Sequence, residues 1–404
     1  MDRRKSENVN IEAAEYKVEY VNNHIHTTYS FSPYTPEEAV YKARDAGLPT
    51  AGLMDHDTVA GADEFIRAGK KAGIATTVGI EVRCSAAGTP FEGRRLNNTD
   101  QLSVAYVAIH AIPHDKLDNV QKFMAPLREA RNARSREMTV RLNELFAPYG
   151  IPLDFSSDVE PISSYRRGGS ITERHIIFAL AKKLTERFGE GEKLLRFLDE
   201  AFGLSAAGSV REKLGAAGVP FYEYHLLGFL KGGFSDKFYI DATDELPHIT
   251  DILRLSEEIG AISAYAYLGD VKNSVTGDKK DREYEDGYLD ELIEWLSSAG
   301  FRALTYMPAR NTEEQLERVM SLCDRHGLFQ ISGEDINSPF QSFVCRALEN
   351  PRYARLVSAA WALVGHEKAA TGNPENGMFS KKTISSMGSL DERIDYFAAI
   401  GRNT

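Results

Sequence analysis

The chain has 404 residues, a formal net charge of −11, and 42% hydrophobic and 26% charged side chains. That composition excludes a disordered or fibrous protein, and the length suffices for one large core or two to three domains. No run approaches eighteen consecutive apolar residues, so no membrane partner is expected. The acidic balance disfavours a broad face for extended nucleic acid, and Cys84, Cys323 and Cys345 lie too far apart to read as a disulfide framework. The charged start Met1-Asp2-Arg3-Arg4-Lys5 has no apolar signal core, so a cytoplasmic location is expected.

Residues 17–25 read as a strand that delivers His24-Ile25-His26. Side chains alternate along a strand, so both imidazoles project to one face. Thr35-Pro36-Glu37-Glu38 has the residue order of a capped helix start, and Gly47 ends that helix. Residues 50–54 form the next predicted strand and lead into Asp55-His56-Asp57-Thr58. A helix over 60–72 and a strand over 74–82 follow, the latter carrying Glu81. This strand–helix alternation implies a parallel sheet with right-handed crossovers. Sites in such sheets form at the carboxyl ends of the strands, where His24, His26, His56 and Glu81 all stand.

The rhythm breaks over 115–230. Pro126 to Tyr149 reads as an arginine-rich helix, and Ser170 with Glu173 has capping-box spacing before a helix that ends near Phe188. Helices at 250–258, 285–298 and 312–326 then alternate with strands at 261–268, 301–306 and 328–332. The expected division is a first barrel part over 1–115, a mainly helical insert over 116–245, a second barrel part over 246–350, and a C-terminal helical tail over 351–404 that turns loose.

Imidazole and carboxylate together suit divalent transition metals. His56 with its neighbours Asp55 and Asp57 is the candidate catalytic group. The two acids read either as caps of the next helix or as acceptors that orient an imidazole. Asp335 follows the last apolar strand, where turn chemistry and ligation are both open. Arg167, Arg174 and His175 surround a helix start, and Arg310 follows another strand; these suit a phosphate or carboxylate, or a solvated face. Lys279 and Lys280 read as solvent-facing.

The motifs His24-Ile25-His26, Met54-Asp55-His56-Asp57-Thr58, Gly79-Ile80-Glu81 and Gly333-Glu334-Asp335-Ile336-Asn337 resemble, in order, those of the PHP (polymerase and histidinol phosphatase) superfamily. The resemblance covers roughly 18–115 and 160–345. It implies an α/β fold, a distorted (β/α)7 TIM-like barrel, one to three divalent ions (Mn, Zn or Fe) and phosphoester hydrolysis. It places His24, His26, Glu81 and Asp335 around one ion, with His56, His110 and Asn337 as further metal positions; Asp270, just past Tyr267, is a separate candidate for a missing ligand. Asn22 stands where the family has Asp, Tyr267 and Asn337 where it has His, and either Tyr106 or His110 takes its middle His. The expected function is a metal-dependent phosphoesterase on a small phosphorylated molecule or nucleotide. The alternative is a non-catalytic relative that keeps the fold to bind a ligand.

Overall fold

The computed structural model describes residues 18–270 and 283–403; the expectations for Met1–Lys5 and for Lys279 and Lys280 fall outside them. Seven strands form one nearly closed barrel in chain order: β1 (Val21–Ile25), β2 (Thr50–His56), β3 (Ala75–Ser85), β4 (Val104–His110), β5 (Ile262–Ala266), β6 (Ala303–Tyr306) and β7 (Phe329–Ser332). Just past β7 the chain bridges back to β1: the His26 amide donates to the Ile336 carbonyl at 2.9 Å, and the Ile336 amide donates to the His24 carbonyl at 3.1 Å.

One strand departs from the parallel sheet that the sequence implies. β4 runs antiparallel to both β3 and β5. Residues 86–103 connect β3 to β4 without a helix, so the chain lacks the crossover that a parallel return requires. The C-terminal end of β4 therefore lies at the opposite end of the barrel from that of its neighbours.

Outward strand residues such as Leu53, Ile80 and Val107 pack under an outer layer containing Phe65, Ile252, Leu292 and Val319. The helices there start and stop on local signals. Thr35 caps the helix Pro36–Asp45 with a reciprocal capping box to Glu38, and Gly73 ends the helix Ala62–Ala72 in a left-handed conformation.

Between β4 and β5, a helix spans Leu117–Phe146, with Pro126 inside it rather than at its start. A proline removes one internal hydrogen bond, which this 30-residue helix tolerates because both of its ends are anchored. Val120 and Met124 pack into the barrel core, whereas Met138, Leu142 and Phe146 join a second cluster with Leu180, Leu198, Leu226 and Phe234.

The C-terminal region corrects an expectation. It is not loose: helices span Ala354–Ala370, Lys381–Ser386 and Leu390–Arg402. Ala359, Ala362, Leu363, Met378 and Phe397 close over the inward-facing residues Met54, Ala108, Ile262, Ala264, Ala303 and Phe329. The segment is the floor of the barrel, and burial of that apolar face orders its polar connections.

Candidate metal centre

The pairing register explains why the side chains meet. His56 on β2 is level with Glu81 on β3, so both point inward at the mouth. His24 and His26 leave the end of β1 with their Nε2 atoms 3.2 Å apart. Glu81 Oε2 lies 3.8 Å from His24 Nε2 and 3.2 Å from His56 Nδ1. Asp335 Oδ1 lies 3.3 Å from His26 Nε2. One donor atom each from His24, His26 and Glu81 falls within a 4.8 Å group.

The charge state suits a cation. Burial, then the neighbouring His26, holds His24 down at about 4. Burial and His26 likewise keep His56 well below the ordinary histidine range. Burial opposes the charge of Asp335, yet hydrogen bonding and charge from His26 keep its carboxyl below the usual range. Burial also works against protonation of His26, but the Asp335 hydrogen bond and charge raise it, so this point attracts positive charge. Neutral imidazoles beside two carboxylates form a donor set for a divalent ion. The fit has a direct sign: His56 Nδ1 is buried, and although Glu81 Oε2 lies 3.2 Å away the angle makes no hydrogen bond. An ion held among His24, His26, Glu81, His56 and Asp335 would satisfy it.

Asp55 supports this centre from behind. Its carboxylate accepts from the Thr27 amide and hydroxyl at 2.6 Å each and from the Ser30 hydroxyl at 2.7 Å. Ser30 Oγ, its proton committed to Asp55, lies 3.2 Å from His26 Nδ1 and accepts from it. That tautomer leaves the His26 Nε2 lone pair facing the cluster. Asp55 is thus a positioning group for His26, not the catalytic partner of His56 expected from the sequence. Asp57 is likewise no acceptor for His56: its Oδ2 pairs with Arg131 Nη1 at 2.7 Å.

Residues 22–155 match the PHP domain. Over that stretch the chain carries a PHP domain. Among curated proteins, a 5'-3' exoribonuclease of Haemophilus influenzae is 30% identical over 129 residues, 32% of this chain. The match spans only 40% of that relative's length. Among solved structures, a Bifidobacterium adolescentis protein assigned as a metal-dependent phosphoesterase superposes with a TM-score of 0.53 at 20% identity, covering 84% of this chain and 98% of that one. An amidohydrolase from Chromobacterium violaceum, with bound sulfate and no metal, gives 0.52 at 18% identity, covering 81% and 90%. These two share the barrel fold with this chain.

Several candidate PHP positions fall elsewhere. His110 pairs with Ile262 at the floor end of the antiparallel β4, so it cannot join the mouth ligands; burial drives its pKa down to about 3. Tyr106, two inward positions nearer the mouth, stands there instead, its ring 5.8 Å from that of His56. Asp270 accepts from the Tyr284 amide at 2.7 Å and stands outside the cavity lining. His175 is no substrate ligand. It is buried and caps its own helix, its Nδ1 accepting from the Thr172 amide at 3.0 Å, which replaces the expected Ser170–Glu173 box. Arg167 packs over the Tyr29 ring, 4.9 Å from its centroid, also outside the lining. Asn337 does reach the site, but as a bridge: its amide donates to Asp335 Oδ1 at 2.6 Å and its oxygen accepts from Arg174 Nη1 at 2.6 Å. Asn22 accepts from the His24 amide at 2.9 Å, as a carboxylate could, but its amide also donates to the Glu334 carbonyl at 3.0 Å, which a carboxylate could not.

Over the centre lies a cavity of about 270 Å³, lined by His24, His56, Glu81 and Asp335 and also by Arg174 and Arg310. Arg131, Glu173 and Lys231 from the insert also line it; sequence reading passed over all three as cavity groups. The arginine-rich stretch around Arg131 was the available signal, but nothing local distinguishes an inward arginine from a solvated one. Burial raises the Glu173 carboxyl, but Lys231, Arg83, Arg174 and Arg131 outweigh it and hold it at about 2.

Proposed function

We propose that the protein is a divalent-metal-dependent phosphoesterase acting on a small phosphorylated molecule or nucleotide. The observation that carries this reading is one cluster, His24, His26, His56, Glu81 and Asp335, at a cavity that Arg174 and Arg310 also line. A divalent ion bound there supplies Lewis-acid polarisation and activation of water. Arg174 is aimed by its bond to Asn337, so its guanidinium is positioned to hold an anionic phosphoryl group. Arg310 lines the same cavity and adds positive charge to it. Asp55 and Ser30 keep His26 in the ligating tautomer. The cavity volume favours a small substrate over a polymer. Sulfate in the Chromobacterium violaceum relative supports oxyanion binding by this fold. No described helix is long and apolar enough to cross a membrane.

The test is metal content by plasma emission together with turnover on a phosphoester panel, for wild type, Glu81→Ala and Arg174→Ala. Bound metal and turnover that both vanish in Glu81→Ala, with metal kept but the Michaelis constant raised in Arg174→Ala, support the proposal. A wild-type protein that takes up no Mn, Zn or Fe sinks it and leaves the barrel as a ligand-binding relative. Tyr267 and Asn337 at family histidine positions are the features that favour that second reading.

A further inference from the structure

The turn after His56 carries a feature that ligation alone does not explain. Asp57 has φ 55, a left-handed conformation that non-glycine residues seldom hold without outside restraint. Three contacts restrain it. Its amide donates to the Glu81 carbonyl at 3.1 Å, tying the two ligand-bearing strand ends together. Its carbonyl accepts from Arg128 Nη1 at 3.3 Å, and its carboxylate pairs with Arg131 Nη1 at 2.7 Å. Arg128 and Arg131 are three apart on the helix Leu117–Phe146, hence on one face, and both belong to the insert.

Arg131 is itself gripped from the far side. Its Nε donates to Glu245 at 3.2 Å, and Arg134 binds the same carboxylate at 2.6 and 2.8 Å. Arg83, two residues beyond Glu81 on β3, completes the circuit through Glu245. Arg83, Arg131, Asp57 and Glu245 are each less than 9% exposed. A buried charge network is a poor source of net stability, because desolvation offsets the attraction. What such a network does well is specify one geometry.

We infer that Arg131 is a positioning residue: through Asp57 it holds the left-handed turn that aims His56 at Glu81, so the helical insert sets the geometry of the barrel's metal centre. The inference rests on the proposed metal-dependent reading.

The experiment uses the full-length chain loaded with Co2+, whose visible absorption reports coordination number. Spectra and Co2+ affinity are measured for wild type, His56→Ala, Arg131→Met, Arg131→Lys and Asp57→Asn, with circular dichroism as the fold check. Arg131→Met and Asp57→Asn are expected to shift the spectrum toward that of His56→Ala and to weaken Co2+ binding about tenfold or more. Arg131→Lys, which keeps the charge on Asp57, recovers part of both. Asp57→Asn leaves Arg131 bound to Glu245 and carries the test if Arg131→Met does not fold. A wild-type spectrum and affinity in Asp57→Asn overturn the positioning role while the metal reading stands. A wild-type protein that gives no bound Co2+ spectrum overturns both.

Discussion

The two ends of one barrel are built from the same strands and do opposite work. At the mouth, inward positions carry His56, Glu81 and Tyr106; at the floor, two or four residues away on the same strand faces, they carry Met54, Gly79 and His110. The mouth gathers buried charges that stabilise little in the absence of a cation. The floor gathers apolar side chains under the C-terminal helices and closes to solvent. Even its buried acid is satisfied internally: Glu367 accepts from the Val78 amide at 2.7 Å and contacts His114 Nε2 at 2.8 Å. Strand period two sets which residues face inward, and position along the strand decides whether they serve chemistry or stability.

The largest break in this contrast should come from Glu81→Ala. It should abolish metal binding and lower any hydrolytic rate by more than about 100-fold, since it removes a direct ligand. Its thermal midpoint should change little, and a large drop would mean that the mouth is also a stability element. Phe329→Ala, at the floor, should do the reverse. It should cost about 3–5 kcal/mol by denaturant titration while metal affinity per folded molecule stays unchanged.

Acid separates the ends next. Burial raises the Glu245 carboxyl, but Arg131, Arg83 and Arg134 outweigh it and hold it at about 2 against an ordinary 4.5. A depressed folded pKa contributes stability that is present above the unfolded value and lost as pH falls through the folded one. Wild type should therefore lose on the order of 3 kcal/mol between about pH 4.5 and 2, a loss that Glu245→Gln should not show. Glu367 has the opposite sign, since burial raises its pKa above the His114 and Val78 contributions. It favours folding at low pH and should not add to the acid loss. The smallest contrast is between two arginines: Arg310→Ala should raise the Michaelis constant for a phosphoester about tenfold, whereas Arg167→Ala should leave it within about twofold, because Arg167 packs on Tyr29.

Much of the mouth is legible in the sequence. His-x-His at a strand end and Asp-His-Asp and Glu at the next two are local patterns, and strand alternation turns them to one side. The helix starts at Thr35 and Thr312 are equally local, each set by a reciprocal bond within one turn. His110 shows where such reading stops. Alternation puts it on the inward face, as the structure does, but strand direction decides which end of the barrel that face serves, and direction depends on the whole 86–103 connection. Arg131 and Arg167 look alike in sequence, yet one lines the cavity and the other packs on the Tyr29 ring outside it.

By itself the sequence determined the barrel's strands, the helices between β4 and β5, and the gathering of His24, His26, His56 and Glu81 at the strand ends. These follow from period-two alternation, capping and turn chemistry, which act over a few residues. Only the tertiary structure decided that β4 runs backwards, that residues 354–402 seal the floor, and that Asp55 serves His26 while Asp57 answers to Arg131. Those outcomes depend on contacts between residues far apart in the chain, whose energies no local pattern encodes.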